Sequence, residues 1–526
     1  MGFLLGGYGT QRTSTGGGGI TQILVGKTLY VDAVYGDDAT GTENRFDLPF
    51  QTIEAALGTA KVGDMINIHA GTYAVADNLL KNGVSYWCEE GVKINSSAIP
   101  FNADTTTGGV TLTTPFYFSG NAIINCTEPV IVTKTNPLAE LTIELNSLNV
   151  SNISNGMTLS DGIVNLYIKK DYISAGINFI MKDSGNLNAY IGGEVACTLA
   201  DTTHGNVWCK NSNWSGSAYI KAKTFRLDTT VKAAEWTYIY IDKMKGCRLQ
   251  VDLDYLYDFS ANTTAMVRLD SNGSTDGTVI LNINEIELSN RGLFKVADAN
   301  VNLFINSDIV YDCAGADISA GSAIIKISNW QTHFSVTCKT VAYLGLASTS
   351  LDSSSGGVGN PPITLTGGLV GLAGTVLTSD PSESCLVNNG GTVKSFGSGG
   401  SGLIPSGSAT PILIGEFECD GVRFQNTQNY TAGASVIVSN YISVLYINPA
   451  ALVAALTIKM PSAPVNNQEV ILSFGGTITV GAVITALTLS GNTGQTILGG
   501  ASITTANAGD SYTLKYQAST SIWRIL

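Results

Sequence analysis

The chain has 526 residues, of which 13% are charged, about half the usual share of roughly 25% in globular proteins, while its hydrophobic fraction is an ordinary 44%. That pairing excludes intrinsic disorder, which needs high charge and little apolar content, and a formal charge of −13 with no long basic run excludes a nucleic-acid binder. With 59 glycines and abundant Thr, Ser and Asn, the composition points to an elongated β-rich body in place of about three ordinary globular domains.

The opening MGFLLGGY (1–8) lacks the basic n-region and the apolar length of a secretory signal, and Gly6 stands where N-myristoylation requires Ser or Thr. No run approaches about 18 apolar residues, so no membrane span is predicted. The glycine run 16–19 sets off residues 1–26 as a Gly-rich arm. Residues 27–63 read as an N-terminal cap. Within them, 47–61 has the pattern of an amphipathic helix, with Asp47 as N-cap, Pro49 in the first turn and Phe50, Ile53, Leu57 and Ala60 along the apolar stripe. Laid across a strand edge, such a helix would block further pairing there. Asp37-Asp38 and Asp276-Gly277 read as turns rather than calcium ligands.

Residues 64–395 carry an internal repeat. Eight segments share three apolar residues at alternate positions, starting at Leu141, Val164, Leu187, Gly216, Leu249, Val279, Val301 and Thr332, in steps of 22 to 33 residues. Their period is 2, not 3.6. A second strand falls within six repeats: INFIMK, NVWCKN, YIYIDK, MVRLDS, LFKVAD and IIKISN. Aligned, its inward columns read Asn178/Val207/Ile239/Val267/Phe294/Ile325 and Ile180/Cys209/Ile241/Leu269/Val296/Ile327. Looser strands (MINIHA, VSYWCEE, AIINCTE, VIVTK) precede them. The predicted fold class is all-β, a parallel β-helix or solenoid of roughly 12 coils about 60 Å long at a strand spacing of ~4.8 Å.

The outward column of that second strand is Phe179, Trp208, Tyr240, Arg268, Lys295 and Lys326. Rings can stack on sugars, and cations suit acidic glycans or partner carboxylates; the same stripe also suits a face between subunits. Trp214, Trp236 and Trp330, near predicted corners, carry the same two readings. For catalysis, Asp252, Asp254, Asp258, Asp270, Glu285 and Glu287 fall on neighbouring repeats, as a carboxylate pair for glycoside cleavage requires. The competing reading is that they are solvated positions alternating with core residues. No G-x-S-x-G, H-E-x-x-H or Walker motif is present. Nine cysteines scattered from Cys88 to Cys419 without a C-x-x-C pair read as buried thiols of a chain folded in a reducing cytoplasm. His69, His204 and His333 are too dispersed for a zinc site, and neither metal nor cofactor is expected. Residues 396–435, opening on the Gly/Ser stretch 397–402, read as a linker or neck, and 436–526 as a C-terminal β domain.

LYVD (29–32), GDD (36–38), PFQTI (49–53), Ala55-Ala56, Gly63-Asp64 and GTY (71–73) resemble the opening of pectate-lyase-like right-handed β-helix proteins, which many bacteriophage tail spikes and fibres share. LTIKMP (456–461), Pro464, Gln468, Gly475-Gly476, LTL (487–489), Gly494, Gly499-Gly500, Tyr512, Tyr516 and Trp523 resemble the small β-sandwich-like tip of trimeric tail fibres. These resemblances imply a homotrimeric virion appendage, assembled in the host cytoplasm and held to other virion proteins by the arm 1–26. It would bind a host-surface glycan or receptor during adsorption. They equally admit a glycan-depolymerising spike, a lyase or glycosidase using Asp/Glu on the coils, and a structural head fibre or tail adaptor without receptor contact. Pectate lyases hold calcium with Asp carboxylates and use an Arg base; that set maps onto no position of this chain.

Overall fold

The computed structural model describes residues 26–526 apart from 153–154, 199–204, 210–213, 228–236, 259–264, 271–275, 298, 340–341, 357–359, 380–384, 402–411, 420–421, 425–426, 440–441, 450–452, 465 and 476–483. Residues 1–25 of the arm, with its glycine run, His204 and Trp236 lie outside the described residues. The fold is all-β, 55% strand and 3% helix, with long parallel sheets of many strands, an arrangement compatible with a β-solenoid. The chain divides into two compact units, Met1–Thr337 with Val341–Leu344, and Cys338–Thr340 with Gly345–Leu526.

Alternating side chains give each short strand of the first unit one apolar and one polar face, and the apolar face is buried by stacking coil on coil. Three parallel ladders result. The first runs from Thr28–Val31 through Met65–Ile68, Ser85–Cys88, Phe116–Gly120, Glu140–Leu145, Ile163–Ile168 and Asn186–Ile191. It continues along the leading halves of Ser217–Leu227, Cys247–Asp258, Gly277–Arg291, Val301–Cys313 and Ser322–Thr332. The second ladder starts at Gly71–Val75 and passes through Val92–Ser96, Ile123–Cys126, Ser147–Val150, Tyr172–Ser174 and Glu194–Cys197 to the trailing halves of the same long strands. The third links Phe101–Asp104, Ile131–Lys134, Asn155–Leu159, Ile177–Met181, Val207–Cys209, Ile239–Ile241, Val267–Leu269, Phe294–Val296 and Ala316–Ile318.

Along the first ladder register is kept to the residue; in the trailing halves it shifts between Glu287 and Arg291 and between Val310 and Cys313. One inner column of the first ladder reads Leu29, Ile66, Tyr86, Phe118, Ile143, Leu166, Ala189, Ile220, Val251, Leu281, Ile305, Ile325, and all of these are buried. Each large aliphatic side chain so placed contributes about 1.5–3 kcal/mol. In the third ladder the inner columns are Phe179/Val207/Ile239/Val267/Phe294 and Met181/Cys209/Ile241/Leu269/Val296/Ile318. Phe179 is therefore an interior residue, 0% exposed, and not a member of the outward stripe; Ile180 takes that place. Every residue of Ile177–Met181 is buried, so alternation there carries no phase. Asn178 is buried as well, its amide donating to the Ala196 carbonyl (2.9 Å) and accepting from Asn206 Nδ2 (2.9 Å). Lys326 also leaves the stripe: it lies in the first-ladder strand Ser322–Thr332, opposite Asn306. Asp317 of Ala316–Ile318, a strand too short for alternation to register, stands in its column. Thr332 ends a strand rather than opening a coil.

The helix is shorter than expected, Ile53–Thr59, with Thr52 as N-cap accepting from the Ala55 N–H (3.2 Å). Asp47 instead pairs with Arg45, whose guanidinium holds the carboxyl down at about 2. Phe50 cannot join the helix because both its backbone groups bond the first strand, to the Tyr30 carbonyl and the Asp32 N–H. Asp38 ties the two motif segments together, accepting from the Gln51 and Thr52 N–H groups and the Thr52 hydroxyl. The helix packs on Thr28–Val31, Met65–Ile68 and Gly71–Val75, burying Ile53 and Ala56.

In the second unit, Ser350–Asp352, Val376–Thr378, Leu369–Ala373, Thr392–Ser401 and Ile412–Cys419 pair in parallel. The Gly/Ser stretch expected to form a joint therefore lies partly in a strand, where neighbours on both sides supply its hydrogen bonds. A six-stranded and a three-stranded sheet follow. The three-stranded sheet is parallel; in the six-stranded sheet Ser511–Gln517 pairs antiparallel with Glu469–Phe474 and with Ile522–Ile525, and the remaining pairs are parallel. They share a core around Leu445, Ile458, Leu472, Leu514 and Trp523.

Two buried features have measurable consequences. Arg291 and Asp258, 1% and 3% exposed, form an ion pair on the inner side of the second ladder, with the guanidinium 5.3 Å from the Tyr238 ring centroid. Asp258→Ala leaves that cation without its counter-charge and is expected to cost about 3–5 kcal/mol, whereas Asp258→Leu with Arg291→Met restores most of it; urea unfolding followed by circular dichroism reads both. Cysteines Cys88, Cys126, Cys197, Cys209, Cys247, Cys313, Cys338 and Cys385 are buried, and none forms a disulfide. Burial pushes the Cys126 and Cys247 thiols up to about 12, so these thiols stay protonated at neutral pH. Ellman's reagent at pH 8 is expected to leave all eight unlabelled in the native chain and to label them after denaturation.

Candidate functional site

The outward column of the third ladder is Ile180, Trp208, Tyr240, Arg268, Lys295 and Asp317. It retains four of the six residues expected. Its centre is tightly tied. Tyr240 Oη donates to Asp270 Oδ2 (2.9 Å), Arg268 Nε donates to Asp270 Oδ1 (2.8 Å), and the guanidinium lies 5.4 Å from the Tyr240 centroid. Burial, then the Asp270 hydrogen bond, raises the Tyr240 phenol well above its ordinary value. An open groove of about 510 Å³ lies alongside, with Arg268, Lys295 and Asp317 over small residues including Gly292 and Gly315. Trp214 and Trp330 are core residues, both 0% exposed.

The aspartate candidates do not converge. Asp252 sits on the outer face of the first ladder, where Tyr219 Oη (2.7 Å), Asn282 Nδ2 (2.7 Å) and Gln250 Nε2 (3.1 Å) all donate to it. Asp254 is exposed at the corner between the first and second ladders. Asp258 is spent on Arg291. Glu285 and Glu287 lie on the outer face of the second ladder, in register with Tyr255 and Tyr257, and Glu285 bonds the Tyr257 hydroxyl. Asp270 belongs to the third face. A carboxylate pair for glycoside cleavage needs two groups facing one bond, about 5–10 Å apart; the four Asp candidates are divided among two faces, a corner and the interior, and only Glu285 and Glu287, two positions apart on one strand and so about 6–7 Å apart along it, share a face.

The outer face of the first ladder is the richer surface. Trp87, Tyr117, Tyr167 and Tyr190 are each about 40% exposed on it. Tyr167 and Tyr190, in register on adjacent coils, stack with ring centroids 5.3 Å apart and planes within 4°, and Tyr219 meets Tyr190 edge-on at 5.4 Å. On the second face, Asn95, Asn125 and Asn149 form an amide ladder, each Nδ2 donating 2.9 Å to the preceding Oδ1, beside a groove of about 590 Å³. The ring row was detectable in principle: Tyr167 and Tyr190 hold the same place in the aligned repeats VNLYI and LNAYI.

Burial, then the Asp252 hydrogen bond, lifts the Tyr219 phenol to about 12. The folded chain therefore keeps a proton that the unfolded chain loses above about pH 10. This contribution to stability is present in full below pH 10 and is lost as pH rises towards 12. Thermal midpoints at pH 9, 10 and 11 are expected to fall less steeply in Tyr219→Phe than in the parent chain. The chain matches no family model, no curated protein and no solved structure.

Proposed function

We propose that this chain is a bacteriophage tail fibre or spike subunit that binds host-surface glycan without cleaving it. In this reading the coils wind right-handed, three copies associate in parallel, the C-terminal sheets form a tip and the arm 1–26 joins other virion proteins. The motif residues between Leu29 and Tyr73 support the family assignment. The observation that carries the binding function is the stacked pair Tyr167 and Tyr190, exposed on the outer face of the first ladder, with Trp87 and Tyr117 exposed on earlier coils of the same face. Rings combined with hydroxyl-bearing edges suit sugar contact, and a repeated face suits multivalent binding by three copies. Asp252, Asp258 and Asp270 are each engaged by other side chains and face different ways, which favours binding over hydrolysis. The third-ladder column, with Tyr240, Arg268 and Asp270 locked together, better suits the contact between subunits.

Purified chain incubated with bacterial capsule or lipopolysaccharide is expected to block phage adsorption while releasing no reducing ends or unsaturated products. Tyr167→Ala with Tyr190→Ala should weaken blocking about tenfold, the scale of losing two ring contacts. Product release would favour the depolymerase; neither blocking nor product, with the chain located on the capsid, would leave a structural fibre.

A further inference from the structure

Three coils of the second ladder carry the same kind of triplet: Asn95-Ser96-Ser97, Asn125-Cys126-Thr127 and Asn149-Val150-Ser151. Register places the triplets over one another, and alternate residues of a strand share a face. Each coil therefore shows one amide and one hydroxyl on its outer side, repeated at the coil spacing of about 4.8 Å. Ser97, Thr127 and Ser151 are exposed, and Asn125 and Asn149 are half-buried. The next two coils continue the rows with Ile173 and Ala175, then with Ala196 and Thr198. The open groove of about 590 Å³ runs along these rows, with Val150, Ile173 and Ala175 as its apolar part.

A primary amide has two N–H donors and two acceptor lone pairs. Among the described residues, Asn125 uses one of each within the ladder, donating to Asn95 and accepting from Asn149, both at 2.9 Å. One donor and one lone pair of Asn125 remain, on a side chain that its two neighbours hold in place. Asn95 and Asn149 close the row, the first keeping both N–H groups and the second both lone pairs. The Ser151 and Thr198 hydroxyls donate to carbonyls of the preceding coil, Cys126 (3.1 Å) and Ser174 (3.3 Å), and so face a ligand as acceptors. No side chain lining the groove is charged. Lys93, Glu128 and Asp171 flank these segments within two residues and carry both signs.

We infer that this groove binds an uncharged polysaccharide carrying acetamido groups, laid along the coil axis. The inference rests on the glycan-binding reading above, adds a second contact face to it and names the class of glycan. An acetamido group presents one N–H, one carbonyl and one methyl. The spare acceptors and donors of the amide row match the first two, and Val150, Ile173 and Ala175 give the methyl an apolar place. The coil spacing is close to the length of one sugar residue, so successive sugars meet equivalent amide and hydroxyl pairs. A nucleic acid or an acidic glycan would need cations, which the lining lacks. An extended peptide adds to a sheet at its edge, whereas the strands beneath this groove are already paired on both sides.

Isothermal titration calorimetry of the full chain tests this with the β-1,4-linked hexamer of N-acetylglucosamine and with cellohexaose, which has a hydroxyl in place of each acetamido group. The acetylated hexamer is expected to bind about tenfold more tightly than cellohexaose, with an affinity that stays the same from about 0.1 to 0.5 M salt. Thr127→Tyr and Ser151→Tyr, made separately, fill the groove from exposed positions. Each should weaken hexamer binding about tenfold and leave the thermal midpoint where it is. Tyr167→Ala/Tyr190→Ala, on the first-ladder face, should bind the hexamer as the parent does. Equal affinity for cellohexaose would overturn the acetamido class, and binding that weakens with salt would overturn the uncharged one. Binding that survives both tyrosine substitutions would overturn the site. A lower sedimentation coefficient in Ser151→Tyr would show that the face packs against another copy, which overturns the inference as well. Adsorption blocking run in parallel keeps the two readings apart. A chain that blocks adsorption but ignores the hexamer overturns only this inference; one that binds the hexamer in the groove without blocking adsorption overturns only the earlier reading.

Discussion

The strands of each coil in the first unit pair with those of the coils on either side of it. A single strand of four residues with two inward side chains cannot bury them alone, and its backbone groups find partners only across the ladder. Parallel register between consecutive coils is thus the constraint from which the rest follows. The column from Leu29 to Ile325 stays buried throughout because each residue lies over its equivalent, and a shift of one residue at any coil would turn polar side chains inward. Where a charge does enter, as at Arg291, it brings Asp258 with it.

The same register orders the outside. Residues that are 23 apart in sequence become neighbours, as Asn165 and Asn188 do through their amides, so a surface feature is a column drawn from many coils. Corners partition these columns. Asp252, Glu285 and Asp270 belong to the same or adjacent coils and yet face different directions, so closeness in sequence brings together only Glu285 and Glu287, which lie on one strand face. Asn95 and Asn149, more than fifty positions apart, fall in one row for the converse reason.

Much of this was legible from residues alone. Period-2 segments from Leu141 to Val301 mark first-ladder strands, and the third-ladder strands VWC, IYI, VRL and FKV were in phase, so Trp208, Tyr240, Arg268 and Lys295 do share a column. The failures have specific causes. At Ile177–Met181 every side chain is buried, and uniform burial erases the phase that alternation would supply. Around Lys326 a short coil carries the weak strand ADI, and the stronger alternation of SAIIKIS attracted the assignment. Similar wording also misleads: GSAYI looks like LNAYI, yet Ala218 pairs with Leu187, placing Lys221 rather than Tyr219 in register with Tyr190. Parity survives such a two-residue slip; neighbour identity does not. The helix boundary failed because Phe50 satisfies its backbone across the chain, a tertiary fact with no local signature.

Strict coil equivalence gives the first unit a modular genetics. The strands Glu140–Leu145 and Asn186–Ile191 each match Ile163–Ile168 residue for residue, so excision of the segment 163–185 would bring Ile143 over Ala189 with no local geometry to rebuild. Unequal crossing-over within such a gene can therefore lengthen or shorten the stack by whole turns, and reach becomes a trait that varies independently of the chemistry displayed on any face.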